Sequence, residues 1–449
     1  MTRRARGDHG LTPDPSIRTP RDGRRLTRAL RVLGPGLVTG AADDDPSGIA
    51  THSQSGATYG FQILWTVVFT LPLMVAVQEA CMRIGAVTGQ GLAAVVRRTY
   101  SRGILYPVVL LVVAANTLNI GSDIGAMAAS AQLLVPSVPI IPLSLGFAIV
   151  IVALEVLISY RVYIRVLKWL SLALFAYVVT AFFVNVPWGD ALLATIVPQV
   201  QLDGPFIYLL VAVLGTTISP YMFFWQTSNV VEDEISEARR DDSDTPAPPR
   251  ISAGYLRRLR IDTVVGMVFA NLIAWFIMLI GAVVLNRAGV TDITTAADAA
   301  AALRPLVSGF PNAGLWAQVI FAIGVIGVGL MSVPVLAGSS AYAIAETFGW
   351  REGLSRRFSQ ARGFYLTIVA GTVIGMSFNL LGIDPIHALI ATAVVNGVVA
   401  VPLILIIALV SSRADVMGTY RSRFWSKAGL WVTFAVMLAA AVALVVSLV

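Results

Sequence analysis

Charge is scarce in this chain and cysteine nearly absent. Only 13% of its 449 residues are Asp, Glu, Lys or Arg, about half the share of a soluble globular domain. That deficit excludes an ordinary soluble enzyme or binding module. The single cysteine, Cys81, excludes an internal disulfide and any cysteine-rich metal site. Histidine is equally thin, at His9, His52 and His387. No nucleophile–base pair, phosphate loop or metal-hydrolase spacing occurs, so the chain reads as no enzyme and as needing no cofactor. Residues 1–30 lack apolar runs and are rich in arginine. No small-residue cleavage site precedes the first apolar run, so these residues read as a disordered cytosolic tail, not a signal peptide.

What abounds is apolar surface. Hydrophobic residues make up 57% of the chain and the mean hydropathy is +0.78. Apolar segments at 31–58, 61–82, 104–133, 139–159, 164–186, 205–231, 261–286, 313–348, 363–382, 386–410 and 428–449 are each about long enough to cross a bilayer as a helix. They predict an all-α polytopic membrane protein of about eleven spans, numbered here 1 to 11. With the N-terminus placed in the cytoplasm, 30 of the 32 basic residues fall in inside segments, leaving only Arg287 and Arg304 outside. The positive-inside rule explains that asymmetry. The net charge of +7 is then membrane topology and not a nucleic-acid surface. The expected location is the cytoplasmic (inner) membrane, with the C-terminus outside.

Two loops stand out. The inside segment "EDEISEARRDDSDTPAPPRIS", from Glu232, reads as a flexible linker. The outside segment "AGVTDITTAADAAAALRPLVSGFPN", after Arg287, is expected to carry a short surface helix.

Two spans are interrupted. Span 1 contains "GAADDDPSGIATHS", where Asp43, Asp44 and Asp45 precede Pro46, Ser47 and Gly48. Span 6 reads "VAVLGTTISPYMFFWQTSNVV", with Gly215, Thr216, Ser219 and Pro220 at mid-span. Proline removes a backbone donor and clashes with the preceding turn, and unwound backbone at membrane depth survives only beside a protein-enclosed or watery cavity. Spans 1 and 6 open two successive five-helix units. Five is odd, so the second unit runs inverted, and paired interruptions in inverted repeats point to a transporter's binding site. The expected division is a first repeat at 31–190, a second at 204–411 with a cytosolic loop at 232–260, and an extra helix at 424–449. The carbonyl end of the first half of span 1 points its negative dipole at the break, and a carboxylate at membrane depth is too costly to be incidental. Freed carbonyls plus carboxylate suit a cation and repel an amino-acid carboxylate.

The stretches "GPGLVTGAADDDPSGIATHSQSGATYGFQILW", "MRIGAVTGQGLA" and "GTTISPY" resemble the Nramp (natural resistance-associated macrophage protein) divalent-metal transporters. The resemblance runs through spans 1–3 and 6, extends to span 8 ("LAGSSAYAIAETFGW") and thins beyond. It implies a leucine-transporter-type fold of two inverted five-helix repeats with broken helices 1 and 6. The family's Asp-Pro-Gly-Asn motif, whose Asp and Asn bind metal, appears here as Asp45-Pro46-Ser47-Gly48, without the Asn side chain. Its Met-Pro-His motif appears as Ser219-Pro220-Tyr221. The implied metal-binding positions are therefore Asp45, Gly48 and Ser219, with Gly215 and Thr216 from the unwound stretch. Asp43, Asp44, Tyr221, Asp123 and Asn396 are candidates for the surrounding shell or vestibule.

A thioether has given way to a hydroxyl. Hard oxygen surroundings suit magnesium, calcium or manganese over cadmium or ferrous iron, and smaller side chains leave room for the waters that magnesium keeps. The departures resemble the Nramp-related magnesium transporter branch. Met222 is the one thioether close to the second break. Family members carry histidines at the positions of Tyr221 and Gln226, and an acid where Ala126 stands, so transport without an obligatory proton is expected.

The reading is thus a secondary transporter of divalent cations, hydrated Mg2+ or Mn2+, acting as a monomer in the lipid bilayer. The alternatives are a proton-coupled manganese/iron importer of ordinary Nramp type and a sodium-coupled organic-solute symporter of the same fold. Other polar residues carry plainer expectations. Glu79 and Glu155 pair with Arg83 and Arg161 at cytoplasmic helix ends, His52 lines the outer vestibule, and Cys81 fills a helix contact.

Overall fold

The computed structural model describes residue 40 and residues 45–157, 174–238 and 253–448. Among them nine helices are long and apolar enough to cross a membrane, and no strand occurs. They are span 2 (Trp65–Thr88), span 3 (Arg102–Gln132), span 4 (Ile140–Leu157), span 6 in two halves, span 7 (Ala253–Ile280, extended by a π-helical turn Gly281–Leu285), span 8 (Ala313–Phe348), span 9 (Arg362–Ser377), span 10 (Pro385–Ser412) and span 11 (Phe424–Ser447). Spans 1 and 5 are described in part, as Pro46–Tyr59 and Phe175–Phe183.

Two groups of helices pack against one another. Span 3 lies along spans 8, 9 and 10, while span 2 lies along span 7 and the second half of span 6. The described half of span 1 is wedged between span 7, the first half of span 6 and span 10. Small residues permit the closest crossings, as membrane helices require in the absence of a hydrophobic drive between them. A β-carbon on Gly121 would collide with the backbone carbonyl of Gly375 across the span 3–span 9 contact. Large apolar side chains such as Leu110 and Phe182 point outward, where lipid replaces water as solvent.

Two loops differ from expectation. The expected linker from Glu232 begins as helix, since span 6 continues to Ala238, and the end of the expected loop at 232–260 is helical too, since span 7 begins at Ala253. Glutamate and alanine are good helix formers, and Tyr342 Oη of span 8 donates to Glu232 Oε1 at 3.0 Å, anchoring the extension. Only 239–252 lies between, outside the described residues. The outer loop carries the expected short helix, Ala296–Ala301, opened by a capping box between Thr295 and Asp298. It is not purely a surface element, because Ala296, Ala299 and Ala300 are buried.

Candidate functional site

The helix restart in span 1 is built by its own sequence. Asp45 is the N-cap, in extended backbone at φ −70°, ψ 172°, and Pro46 follows at the first helical position. Asp45 Oδ1 accepts from the Gly48 amide at 2.7 Å and from Ser47 Oγ at 2.7 Å. The carboxylate thus takes up an orphan donor of the helix start, and the positive end of that half-helix faces it. Asp43 and Asp44 lie outside the described residues, as does the preceding half of the span apart from Gly40.

Span 6 breaks by the complementary route. Its first half, Gly204–Thr217, ends where Ile218 leaves helical geometry at φ −113°, ψ 61°, and Pro220 opens the second half, Pro220–Ala238. Ser219 Oγ caps the broken end, lying 2.6 Å from the Thr216 carbonyl and 3.2 Å from that of Gly215. The two breaks meet through side chains. Ser47 Oγ and Thr216 Oγ1 are 3.5 Å apart, and Tyr221 Oη donates to Asp45 Oδ2 at 3.4 Å. Asp45, Ser47, Thr216, Ser219 and Tyr221 are all at most 2% exposed. The cluster offers hydroxyls and one carboxylate. Asp45 Oδ2 is approached by the Tyr221 hydroxyl at 3.4 Å, a longer contact than either of those that hold Oδ1.

The other predicted positions sort by what they touch. Gly48 donates its amide to Asp45, while its carbonyl lies 2.7 Å from His52 Nδ1. Gly215 turns its α-carbon to span 10, where a β-carbon would strike the Ala393 carbonyl and the Gly397 amide. Its glycine identity therefore serves a helix crossing, whatever its carbonyl does. Asp123 is fully buried, accepts from Ser332 Oγ at 3.0 Å and feels the charge of Asp45. Asn396 accepts from Asn119 Nδ2 at 2.9 Å, across spans 10 and 3. Among the described residues no cluster of three or more His, Cys, Asp or Glu could hold a metal.

His52 departs from the vestibule expectation: it is 3% exposed and bonded within its own helix. Glu79 pairs with Arg83 at 3.2 Å and also with Arg260 of span 7 at 2.6 Å. Arg161, the expected partner of Glu155, lies outside the described residues, and neither Glu155 oxygen has a hydrogen-bond partner among them. Cys81 is buried in the apolar cluster around span 2. Met222 packs into an apolar cluster with Ile120, Ile124 and Leu336.

Two features escape the sequence pattern. Ser47 follows the proline as an unremarked serine, yet its hydroxyl joins both breaks. Met127 lies one turn past Asp123, and a β-carbon on Gly329 would stand 2.5 Å from Met127 Sδ and 3.4 Å from Pro46 Cγ. A thioether therefore sits beside the proline of the first break, on a span where spacing alone gave it no distinction from packing.

Comparison with known proteins places this geometry. Residues 36–447 match the family described as Natural resistance-associated macrophage protein-like, Nramp. A relative named divalent metal cation transporter MntH, from Acidiphilium cryptum, is 28% identical over 404 residues, covering 88% of this chain and 85% of its own. The crystal structure of the Eremococcus coleocola manganese transporter in complex with an aromatic bis-isothiourea substituted compound superposes with a TM-score of 0.70 at 17% identity, covering 96% of this chain and 89% of that one. MhsT in complex with L-phenylalanine superposes with a TM-score of 0.58 at 14% identity, covering 95% and 98%. The fold is that of the leucine-transporter type expected from the sequence. The chain belongs to the Nramp family.

Proposed function

We propose that this Nramp-family chain carries a hydrated divalent cation, Mg2+ or Mn2+, across the cytoplasmic membrane, without an obligatory proton, through the junction of its two broken helices. The observation that supports this most directly is the donor set: one buried carboxylate, Asp45, joined by the hydroxyls of Ser47, Thr216, Ser219 and Tyr221. Oxygen donors of this kind favour hard cations. One carboxylate attracts a dication without stripping it, and hydroxyls accept from and donate to the waters that Mg2+ gives up reluctantly. The relatives named as divalent metal cation transporters favour a divalent metal cation as the cargo.

Asp45, Gly48, Thr216 and Ser219 form the metal site in this reading, with the Gly215 carbonyl at its edge and Tyr221, Asp123 and Asn396 around it. Repeats at 31–190 and 204–411 rock against one another about the site, with the N-terminus inside, the C-terminus outside and the monomer as the working unit. A bound carboxylate substrate would meet the charge of Asp45, which disfavours an organic-acid symporter. Tyr221, Gln226 and Ala126 provide no histidine or acid where the family's proton path is expected.

Purified protein in liposomes, with metal flux and internal pH read together, tests the whole. Mg2+ entry without acidification is the expected result. Entry of Mn2+ or Fe2+ with matching acidification and no Mg2+ flux replaces this reading with the ordinary proton-coupled importer. One observation favours that second reading, the Met127 thioether beside Pro46, since sulfur selects transition metals.

A further inference from the structure

Span 3 carries an unusual run of unmet hydrogen-bond acceptors. Asn116, Asn119 and Asp123 stand at i, i+3 and i+7, on one face of the helix, and none is more than marginally exposed. Each is held through one polar atom. Asn116 Nδ2 donates to the Leu336 carbonyl at 3.2 Å and to Ser340 Oγ at 3.0 Å. Asn119 Nδ2 donates to Asn396 Oδ1 at 2.9 Å, and Asp123 Oδ2 accepts from Ser332 Oγ at 3.0 Å. In every case a side-chain oxygen, Asn116 Oδ1, Asn119 Oδ1 or Asp123 Oδ1, has no hydrogen-bond partner among the described residues. Across the seam the Asn396 amide nitrogen likewise has no partner among the described residues. Native proteins leave few buried polar atoms unmet, and a run of them calls for water or an ion.

The run starts next to the first helix break: Ser332, which donates to Asp123, is one turn from Gly329, where a β-carbon would stand 3.4 Å from Pro46 Cγ. Its Asp123 end feels the charge of Asp45, and from there it extends roughly 10 Å along the helix axis to Asn116. Ser339, within 3.4 Å of Asn116 Nδ2, also donates to the Tyr221 carbonyl at 2.9 Å. The far end therefore lies at the seam between span 8 and the second half of span 6. With the N-terminus inside, Asn116 is on the cytoplasmic side of the site.

We infer that Asn116, Asn119 and Asp123 form a second station for the transported cation, binding the outer face of its hydration shell between the Asp45 site and the cytoplasm. The waters of a hydrated dication present protons outward, and the three unmet oxygens on span 3 complement them. Neutral amides are too weak to displace those waters from Mg2+, so the contact is to the shell and not to the metal. The station opens when the second half of span 6 parts from span 8. This rests on the hydrated-cation reading above and extends it to residues outside the helix breaks.

Hexaamminecobalt(III), an exchange-inert ion that offers only N–H donors, is the probe. Its binding to the purified full chain is measured by calorimetry, and its inhibition of Mg2+ flux is measured in liposomes. Asn116→Leu is expected to weaken both about fivefold, the loss of one hydrogen bond. Asn116→Asp, which keeps an acceptor oxygen and adds charge, is expected to bind the probe more tightly than the parent, and it carries the test if the leucine variant does not fold. Equal probe affinity in the parent and both variants overturns the station, as does a parent that carries Mg2+ yet binds no probe. Probe binding that weakens in Asn116→Leu while no divalent cation is transported upholds the station and removes the transport reading instead.

Discussion

Replacing Asp45 by asparagine removes one charge and little else. Asparagine is as good an N-cap as aspartate, and its side-chain oxygen still accepts from the Gly48 amide and Ser47 Oγ, each now 2.7 Å from Asp45 Oδ1. The helix restart should therefore hold, and deleting a buried charge relieves a desolvation cost. The cation loses much more. A dication about 5 Å from a carboxylate, at an effective dielectric of about 20, is attracted by about 7 kcal/mol. Water rearrangement offsets most of that, but retention of a third leaves roughly 2 kcal/mol, about thirtyfold in apparent affinity. Asp45→Ala removes the charge and the cap together, adding about 1 kcal/mol of lost helix stability. The assay pairs Mg2+ and Mn2+ uptake into liposomes with melting curves in detergent. Asp45→Asn is expected to melt like the parent and to lose transport at cation concentrations that saturate the parent; Asp45→Ala is expected to lose transport and melt earlier. Near-parental uptake by a well-inserted Asp45→Asn protein refutes the assignment of Asp45 as the site's charge.

Cadmium should block Mg2+ flux only weakly through an oxygen site, and Ser219→Met with Gly48→Asn should strengthen the block; strong block by cadmium that Met127→Leu abolishes locates a sulfur ligand on span 3 instead. Gly215→Ala drives a methyl into the Ala393 carbonyl and should destabilise the span 6–span 10 crossing by roughly 3 kcal/mol, so an unshifted melting temperature contradicts the close approach. Glu352, in the turn after span 8, is pushed from its ordinary 4.5 up to about 9 by burial first, then by Glu346 and Glu232. The folded chain holds that proton more tightly than the unfolded one, so its stabilising contribution is full below 4.5 and is lost as pH rises towards about 9. Melting temperature should fall across that window, and an equally steep fall in Glu352→Gln would clear Glu352 of the effect.

What could be read from the sequence follows the range of each force. Proline acts on its own backbone, so Pro46 and Pro220 fixed the two helix restarts without help from neighbours. Span positions follow from runs of apolar residues: spans 3, 4, 8, 10 and 11 matched to within a few residues, while spans 2, 6 and 7 run further at the ends expected to be cytoplasmic. Rotation of each helix about its axis does not follow, because the partner surface sets it. That is why Gly215, expected to serve the cation, is found also to serve span 10, and why nothing in the sequence pattern distinguishes Met127. His52 fell inside the bundle for the same reason. Long-range pairs are equally invisible: Glu79 finds Arg260 from 181 positions away, whereas its partner Arg83, one turn along, could be named in advance. At Glu232–Ala238 the charge density suggested a linker, but local helix propensity and one bond from Tyr342 prevailed.

The polar residues around the site differ in what they can do for a cation and for a proton. An amide oxygen or a hydroxyl accepts a hydrogen bond from bound water whatever the pH, but it does not take up a proton in the physiological range. Gln226 Nε2 donates to Thr263 Oγ1 at 3.4 Å, Tyr221 donates to Asp45, Ala126 offers a buried methyl, and Asn116 and Asn119 are amides. These positions can all help solvate a hydrated ion, except Ala126, and none takes up a proton of its own in the physiological range. Asp123 is the one titratable group on span 3 beside Asp45, and a proton it received would find amides at the next two positions of the stripe. Under the proposed reading, a chain with this lining keeps the cation's route and gives the proton none, so the metal's own electrochemical gradient must supply the driving force.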